Sequence, residues 1–242
     1  LGGTEANEAA VKICHQFTGR RKMLTRYRTY HGGTATSMSL SSGDSRGWFQ
    51  VMGGTEMVTV PQPYCYRCMF GQTYPECDLQ CVKYIDEVIE LEGGSEKVAG
   101  IICEPVTGAN GIIVPPPEYF PRLREICDRW GTLLIADEVM SGFGRTGKWF
   151  AVDHWDVVPD IMTMAKGITS GYVPLGAVGV TNKVMEPIEV LNHLHTYGNH
   201  PVCCAVGLKN LEILKTEKLV ENSEKMGRYF LECLKNLEHH PS

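Results

Sequence analysis

Residues 133–137 read Leu-Leu-Ile-Ala-Asp, and residues 161–166 read Ile-Met-Thr-Met-Ala-Lys. Each stretch is a short, mostly apolar run that is followed by a charged side chain. Such runs are typical of strands that are buried on both faces of a parallel sheet. In open α/β sheets, ligands bind just beyond the carboxyl ends of the strands. Asp137 and Lys166 are therefore candidate site residues.

Further apolar runs at 98–103 and 175–180 predict two more buried strands. Apolar residues at helical spacing predict helices that alternate with the strands. These helices run from Ala6 to Phe17 with Thr4 as the cap, from Cys81 to Ile89, and from Phe120 to Trp130. The stretch 41–75 has little periodicity and is interpreted as loops around one or two short strands. The pattern predicts an α/β fold with three layers, in which a mainly parallel sheet is flanked by helices.

The pattern becomes purely helical from Pro201 onward. We predict a large domain over 1–206, and a connecting helix with the start of a smaller C-terminal domain over 207–242. Because the chain opens at Leu1 on a Gly-Gly-Thr turn, we expect it to be a piece of a longer polypeptide.

Composition excludes several classes of protein. The chain has 242 residues with 23 Lys and Arg against 28 Asp and Glu, a net charge of −5, and its basic residues are scattered. This disfavours a nucleic-acid or anionic-membrane partner. No apolar run reaches the roughly 18 to 20 residues that span a bilayer. The ten cysteines lack the spacing of a small disulfide-bonded domain, so reduced thiols and a cytoplasmic location are expected.

A third candidate site residue, Glu104, directly follows the run at 98–103. Two carboxylates and a lysine on one rim are electrostatically costly without a ligand, and a charged organic cofactor would offset that cost. The Gly2-Gly3-Thr4 turn at a helix start suits a phosphate group. A phosphate cup, an acid for a ring nitrogen and a Schiff-base amine are the three anchors that pyridoxal 5′-phosphate requires.

Six motifs carry a resemblance to a known family. They are Gly3-Thr4-Glu5-Ala6-Asn7-Glu8-Ala9, Tyr30-His31-Gly32, Glu104-Pro105-Val106, Asp137-Glu138-Val139 with Gly142–Gly147, Ala165-Lys166-Gly167, and Thr196-Tyr197-Gly198-Asn199-His200-Pro201. In this order they resemble the motifs of class III (ω-amino acid) aminotransferases, which are fold-type-I pyridoxal-phosphate enzymes. The resemblance covers nearly the whole chain.

The resemblance implies roles for individual residues. Lys166 would form the Schiff base with the cofactor and then move the substrate proton, and Asp137 would stay ionised and keep the ring nitrogen protonated. Tyr30 and Val139 would pack on the two faces of the ring. The remaining implied cofactor-binding residues are Gly3 and Thr4 for the phosphate, Thr196 reaching across from a second subunit of a homodimer, Glu104 as a partner near Asp137, and His31 as a structural hydrogen-bonding group.

One departure from the family pattern bears on the substrates. Relatives that use glutamate commonly carry a second Glu shortly after the Glu-Pro pair, and here Ala109 stands at that position. This departure disfavours the glutamate-type switch, and the stretches 137–142 and 170–176 look more like family members that move an amino group from an ω-amino acid or amine to pyruvate. The resemblance therefore implies an ω-amino acid or amine as the donor, such as a β-alanine- or taurine-like compound, and a 2-oxo acid, pyruvate, as the acceptor. An aminomutase of the glutamate-semialdehyde type and a decarboxylating transaminase remain alternatives.

A different class of function stays open because of four cysteines. Cys65, Cys68, Cys77 and Cys81 lie within seventeen residues and could enclose zinc or an iron–sulfur centre in a catalytically silent relative. Their irregular spacing favours reduced structural thiols, so no metal site is predicted.

Overall fold

A computed structural model describes residues 1–42 and 56–237. Within them, six strands form one sheet in the order β2-β1-β3-β4-β5-β6. The strands are β1 Lys22–Arg26, β2 Met57–Val60, β3 Val98–Cys103, β4 Leu133–Asp137, β5 Ile161–Met164 and β6 Ala177–Val180. Strands β1 to β5 pair in parallel, and β6 pairs antiparallel with β5. The predicted mainly parallel sheet is confirmed.

Helices cover both faces of this sheet. The described helices are α1 Gly3–Thr18, α2 Ala35–Leu40, α3 Gln80–Leu91, α4 Gly94–Lys97, α5 Tyr119–Trp130, α6 Asn182–Met185, α7 Pro201–Thr216 and α8 Leu219–Lys235. Short 3₁₀ turns cover Cys65–Arg67, Ala151–His154 and Lys166–Ile168. The three-layer arrangement is therefore as expected from the sequence.

Two apolar cores, one on each face of the sheet, hold the layers together. On one face, residues of α3 and α5 such as Ile85 and Phe120 pack against Ile101 and Leu134. On the other face, Ile13 and Cys14 of α1 belong to the second core. All residues of β3 and β4 are buried, as the apolar runs predicted. Removing so much apolar surface from water is the main force that fixes the position of α1 and of the strand ends.

The structure corrects three expectations. Helix α1 begins at Gly3 with Gly2 as its N-cap, so Thr4 lies inside the helix and is not the cap. Strand β1 was not predicted because Thr25 and Arg26 interrupt its apolar run, although both are buried. No α-helix connects β5 to β6, and the turn after Lys166 leads directly into an antiparallel edge strand.

The carboxyl-terminal part is helical, as predicted, and α7 runs without interruption across the predicted boundary between 206 and 207. The division into domains stays a prediction. Of the stretch 41–75, residues 43–55 lie outside the described part, and the rest contains β2 and one 3₁₀ turn. None of the helices within 1–42 and 56–237 has both the length and the apolar content needed to span a lipid bilayer.

Candidate active site

A cavity of about 530 Å³ opens where the strands end. Its walls come from the start of α1 and from the segments that follow β1, β3, β4 and β5. The lining residues are Gly3, Thr4, Asn7, Tyr30, His31, Gly32, Glu104, Gly108, Ala109, Asp137, Val139, Met140 and Lys166. Eight predicted site residues thus meet at one cavity, because parallel strands bring their carboxyl ends to the same edge.

Asp137 is the last residue of β4 and is only 3% exposed. Its Oδ2 atom accepts hydrogen bonds from His31 Nδ1 at 2.7 Å and from Asn7 Nδ2 at 2.8 Å. Its Oδ1 atom accepts one from the Val139 backbone N–H at 3.0 Å. The Asn7 amide and the Val139 N–H are donors, and His31 Nδ1 donates in the tautomer that carries its proton on this nitrogen. Each oxygen has room for two donors, so Oδ1 can accept one more hydrogen bond beside the cavity.

Lys166 follows β5 and supplies an amine to the cavity wall. Its side chain is exposed in this chain and forms no ion pair or hydrogen bond with the residues that the structure describes. Its backbone has a φ of 41°, in the left-handed region that residues other than glycine rarely adopt. Such strain is characteristic of functional sites, where the surrounding structure holds a side chain in place.

The first turn of α1 forms another part of the wall. Gly3 packs closely on Val139, since a Cβ on Gly3 would lie 2.6 Å from Val139 Cγ1. Backbone N–H groups in the first turn of a helix have no partner within the helix, and the helix dipole adds positive potential there. This end of the cavity is therefore suited to an anion such as a phosphate.

Gly32 gives the loop after β1 its close approach to α1. Its φ is 140°, and a Cβ at this position would lie 2.6 Å from both Thr4 Oγ1 and Ser37 Oγ. Only glycine combines this backbone conformation with so little space. The neighbouring Tyr30 is 45% exposed and lines the cavity.

The carboxylate of Glu104 accepts hydrogen bonds from two loops of the cavity wall. Its Oε1 atom accepts a hydrogen bond from the Tyr30 backbone N–H at 3.0 Å, and its Oε2 atom accepts one from the Gly108 N–H at 2.8 Å. Within the described residues its carboxylate makes no hydrogen bond to Asp137, and its role as a partner near Asp137 stays a prediction. The Glu104 carboxylate ties the loop after β1 to the loop after β3, which positions Tyr30 over the cavity.

The structure also shows site residues to which sequence reasoning gave no role. Asn7, Gly32, Gly108 and Met140 line the cavity. The signal for Asn7 was a buried amide on the face of α1 that otherwise presents apolar residues such as Ala6 and Ala10. Thr196 does not line this cavity and is exposed, so its predicted role in a neighbouring subunit stays a prediction.

The carboxylate next to Asp137 has a different environment. Burial raises the pKa of Glu138, while hydrogen bonds from Ser141 and from the Val152 backbone N–H act in the opposite direction. Glu138 is not among the residues that line the cavity. It joins β4 to the 3₁₀ turn at Ala151–His154 and is therefore structural.

Within the described residues, no group of three or more His, Cys, Asp or Glu side chains is placed to hold a metal ion. The described positions of Cys65, Cys68, Cys77 and Cys81 thus give no support to the metal-binding alternative. Burial raises the pKa of the Cys81 thiol to about 11, which favours the protonated form over the thiolate that binds metals.

Comparison with known proteins identifies the family. The class-III aminotransferase profile matches residues 1–242. The chain belongs to the class III aminotransferase family. The aminotransferases of this family transfer nitrogenous groups and use pyridoxal 5′-phosphate, so the resemblance noted in the sequence is confirmed.

Three relatives show how broad this family is. A leucine/methionine racemase of Thermococcus litoralis is 37% identical over 97% of this chain and 53% of its own. A taurine–pyruvate aminotransferase of Bilophila wadsworthia is 39% identical over 97% of this chain and 54% of its own. The crystal structure of an (S)-enantioselective ω-transaminase from Thermomicrobium roseum superposes with a TM-score of 0.93 at 42% identity, covering 99% of this chain and 56% of that one. The chain thus spans about half the length of these relatives.

The residues of the cavity fit pyridoxal phosphate. A helix start that is suited to an anion, a buried carboxylate with capacity for one more donor, and an amine without a partner in 1–42 and 56–237 surround a space of about 530 Å³. The buried Asp137 and the exposed Lys166 therefore lie where a charged, aldehyde-bearing ring with a phosphate would satisfy both.

Proposed function

We propose that the protein is a pyridoxal-phosphate-dependent transaminase that moves an amino group from an ω-amino acid or amine to a 2-oxo acid, pyruvate. The observation that carries the proposal is the meeting of the Lys166 amine and the buried Asp137 carboxylate at one cavity beside the start of α1. When bound, the cofactor supplies an electron sink for the electrons released at the substrate carbon.

The chain's own residues divide the remaining tasks. Gly3 and Thr4 would hold the phosphate through backbone N–H groups, and Asp137 would accept a hydrogen bond from the protonated ring nitrogen. Tyr30 and Val139 would fix the ring between them. Lys166 would bind the cofactor covalently and, once the donor amine has displaced it, would move a proton between the substrate carbon and the cofactor carbon that lie on either side of the transferred nitrogen.

The acceptor and the donor are proposed from different observations. Ala109 lies on the cavity wall and brings no carboxylate to pair with an arginine that would switch between glutamate and other substrates. This supports pyruvate over 2-oxoglutarate as the acceptor. The similarity to a taurine–pyruvate aminotransferase supports a small ω-amino acid or amine as the donor.

A donor and acceptor screen tests this assignment. Full-length protein loaded with pyridoxal phosphate would be given taurine, β-alanine or a primary amine together with either pyruvate or 2-oxoglutarate. We expect alanine to form from pyruvate with at least one of these donors. Strong turnover of 2-oxoglutarate without any alanine formation from pyruvate would overturn the proposed acceptor.

Amino-acid racemisation is a second candidate, favoured by the similarity to the T. litoralis racemase. Racemisation needs no acceptor, because the proton returns to the same carbon from which it was taken. Circular dichroism of L-leucine incubated with the loaded enzyme, without any 2-oxo acid, separates the two functions. Transamination predicts a constant signal, whereas a signal that decays to zero would assign the racemase reaction.

We also propose that the active protein is a cytoplasmic homodimer in which Thr196 completes the neighbouring subunit's phosphate site. The exposed position of Thr196, away from its own chain's cavity, supports this arrangement. We expect light scattering of the full-length protein to give the mass of a dimer. We also expect the Thr196→Ala variant to bind the cofactor more weakly. A monomer with full cofactor affinity would overturn it.

A further inference from the structure

Three polar side chains behind the cavity form a continuous buried chain. Thr163 Oγ1 donates to Asn7 Oδ1 at 2.7 Å, and Asn7 Nδ2 in turn donates to Asp137 Oδ2 at 2.8 Å. Asn7 is 1% exposed and Thr163 is fully buried. Asn7 belongs to α1, Asp137 to β4 and Thr163 to β5. Asn7 is separated in sequence from Asp137 by 130 residues and from Thr163 by 156. Local folding preferences do not explain hydrogen bonds between residues so far apart in sequence.

Both N–H groups of the Asn7 amide donate hydrogen bonds. Besides Asp137, its Nδ2 atom donates to the His31 carbonyl oxygen at 2.7 Å. Both of these partners can only accept, so the NH₂ group must face them and the amide oxygen must face Thr163. A flipped amide would place its oxygen against two acceptors. The Thr163 hydroxyl therefore donates to the amide oxygen of Asn7, and its hydrogen bonds define the orientation of the Asn7 amide.

The sheet fixes the position of Thr163. Asp137 of β4 and Thr163 of β5 are register partners, and the Glu138 N–H donates to the Thr163 carbonyl at 2.9 Å. The Thr163 side chain is therefore held on a rigid strand beside the carboxylate that it supports through Asn7. Groups on strands are placed more precisely than groups on loops.

We propose that Asn7 and Thr163 are positioning residues that set the orientation of the Asp137 carboxylate, an inference that rests on the proposed function. Asn7 and His31 occupy both acceptor positions of Oδ2. Oδ1, whose one hydrogen-bond partner in the described part of the chain is the Val139 N–H, is therefore the oxygen left for the ring nitrogen. Neither Asn7 nor Thr163 is needed to touch the reacting atoms. Their effect is to prevent rotation of the carboxylate.

Two variants of Thr163 separate positioning from packing. Thr163→Val keeps the shape and removes the hydroxyl, whereas Thr163→Ser keeps the hydroxyl and removes a methyl group. In the full-length protein, we expect Thr163→Val to raise the dissociation constant of pyridoxal phosphate roughly tenfold, as expected for a lost buried hydrogen bond that supports a charged ligand contact. Thr163→Ser should stay near wild type.

Two spectroscopic readouts show whether the carboxylate itself has changed. We expect the absorption bands of the bound cofactor to shift in Thr163→Val and Asn7→Leu but not in Thr163→Ser. In the cofactor-free protein, the downfield proton signal of His31 Nδ1–H, hydrogen-bonded to Asp137, should move in the same two variants. This second readout does not depend on activity.

The outcomes distinguish this inference from the proposed function. If the wild-type protein binds no pyridoxal phosphate, the proposed function fails. If the wild-type protein binds it, and Thr163→Val loses thermal stability but keeps the cofactor affinity, the absorption bands and the His31 signal, then Thr163 is only a packing residue and the positioning role is wrong.

Discussion

Two adjacent carboxylates at the end of β4 show how environment assigns different tasks to similar residues. Asp137 accepts three hydrogen bonds and borders the cavity, whereas Glu138 is buried away from it and bonds to Ser141 and the Val152 backbone. Alternation of side chains along a strand places the two on opposite sides of the sheet edge. Asp137 is suited to binding a cationic ring, and Glu138 is suited to stabilising the fold.

The raised pKa of Glu138 predicts a pH-dependent stability. Because its pKa is higher in the folded chain than in the unfolded chain, the folded state retains a proton that the unfolded state has already lost. The stabilisation from this group is therefore complete at low pH and is lost as the pH rises through the folded-state pKa. Glu138→Gln removes the titration and keeps an acceptor for the Val152 N–H.

Urea unfolding at a series of pH values from about 4 to 7, which begins near the pKa of an unperturbed Glu, measures this effect. We expect Glu138→Gln to become more stable relative to wild type as the pH increases. The exposed Glu186→Gln is the matched control and should show no trend. A stability difference between Glu138→Gln and wild type that is constant across the range would contradict the interpretation.

Single residues also show where sequence reasoning ends. Lys166 and Asp137 were predictable because each directly follows an apolar strand run. Asn7 was not, since nothing near it in sequence indicates that its partners are Asp137 and Thr163, which belong to two different strands. A polar residue on a buried helix face indicates that it has a hydrogen-bond partner, but the sequence does not show which residue that partner is.

At the scale of elements, the start of α1 lies in close contact with the segment that precedes β6. A Cβ on Gly176 would lie 2.8 Å from the Gly2 carbonyl carbon and 3.1 Å from the Gly2 nitrogen, both backbone atoms that cannot move aside without shifting the start of α1. The same start of the helix lines the cavity at the end that is proposed to hold the phosphate.

Gly176→Ala should therefore destabilise the protein by about 1 to 3 kcal/mol, the usual cost of overpacking, and weaken cofactor binding. The control is Gly227→Ala in α8, where a Cβ meets no atom within 4 Å. That change should be neutral or stabilising by up to about 1 kcal/mol, since alanine favours helix. Thermal unfolding of both variants checks the pair, and equal effects would contradict the close approach.

The elements that sequence predicted best are those with uniform burial. Strands β3 and β4 are buried throughout, so their apolar runs were clear, and the amphipathic helices α3 and α5 were equally evident. Strand β1 was missed because Arg26 is buried yet charged, with its guanidinium donating to the Glu104 carbonyl oxygen. Tertiary hydrogen bonds of this kind override a local pattern and cannot be deduced from it.

At the scale of the whole molecule, the reactivity of the cysteine thiols depends on whether each cysteine is buried. Burial raises the pKa of the Cys14, Cys103 and Cys127 thiols, and the same burial excludes reagents from them. Cys65 and Cys233 are exposed. We expect iodoacetamide to modify the exposed pair in the native protein and the three buried thiols only after denaturation.

Peptide mapping after brief alkylation measures this order, and modification of Cys14 before Cys65 would contradict the described core. Metal analysis of the same preparation tests the remaining alternative for the cysteines between 65 and 81. We expect less than stoichiometric zinc or iron. A full equivalent of either metal would require a different arrangement of these four thiols from the one described.

The proposed function depends on a covalent link between Lys166 Nζ and the cofactor. Borohydride reduction of the full-length, cofactor-loaded protein, followed by digestion and mass spectrometry, tests this link most directly. We predict one modified lysine, Lys166, and no modification in Lys166→Ala, while the exposed control Lys183→Ala behaves like wild type. An active protein in which the reduced cofactor is attached to another lysine, or in which Lys166 is unmodified, would contradict the account.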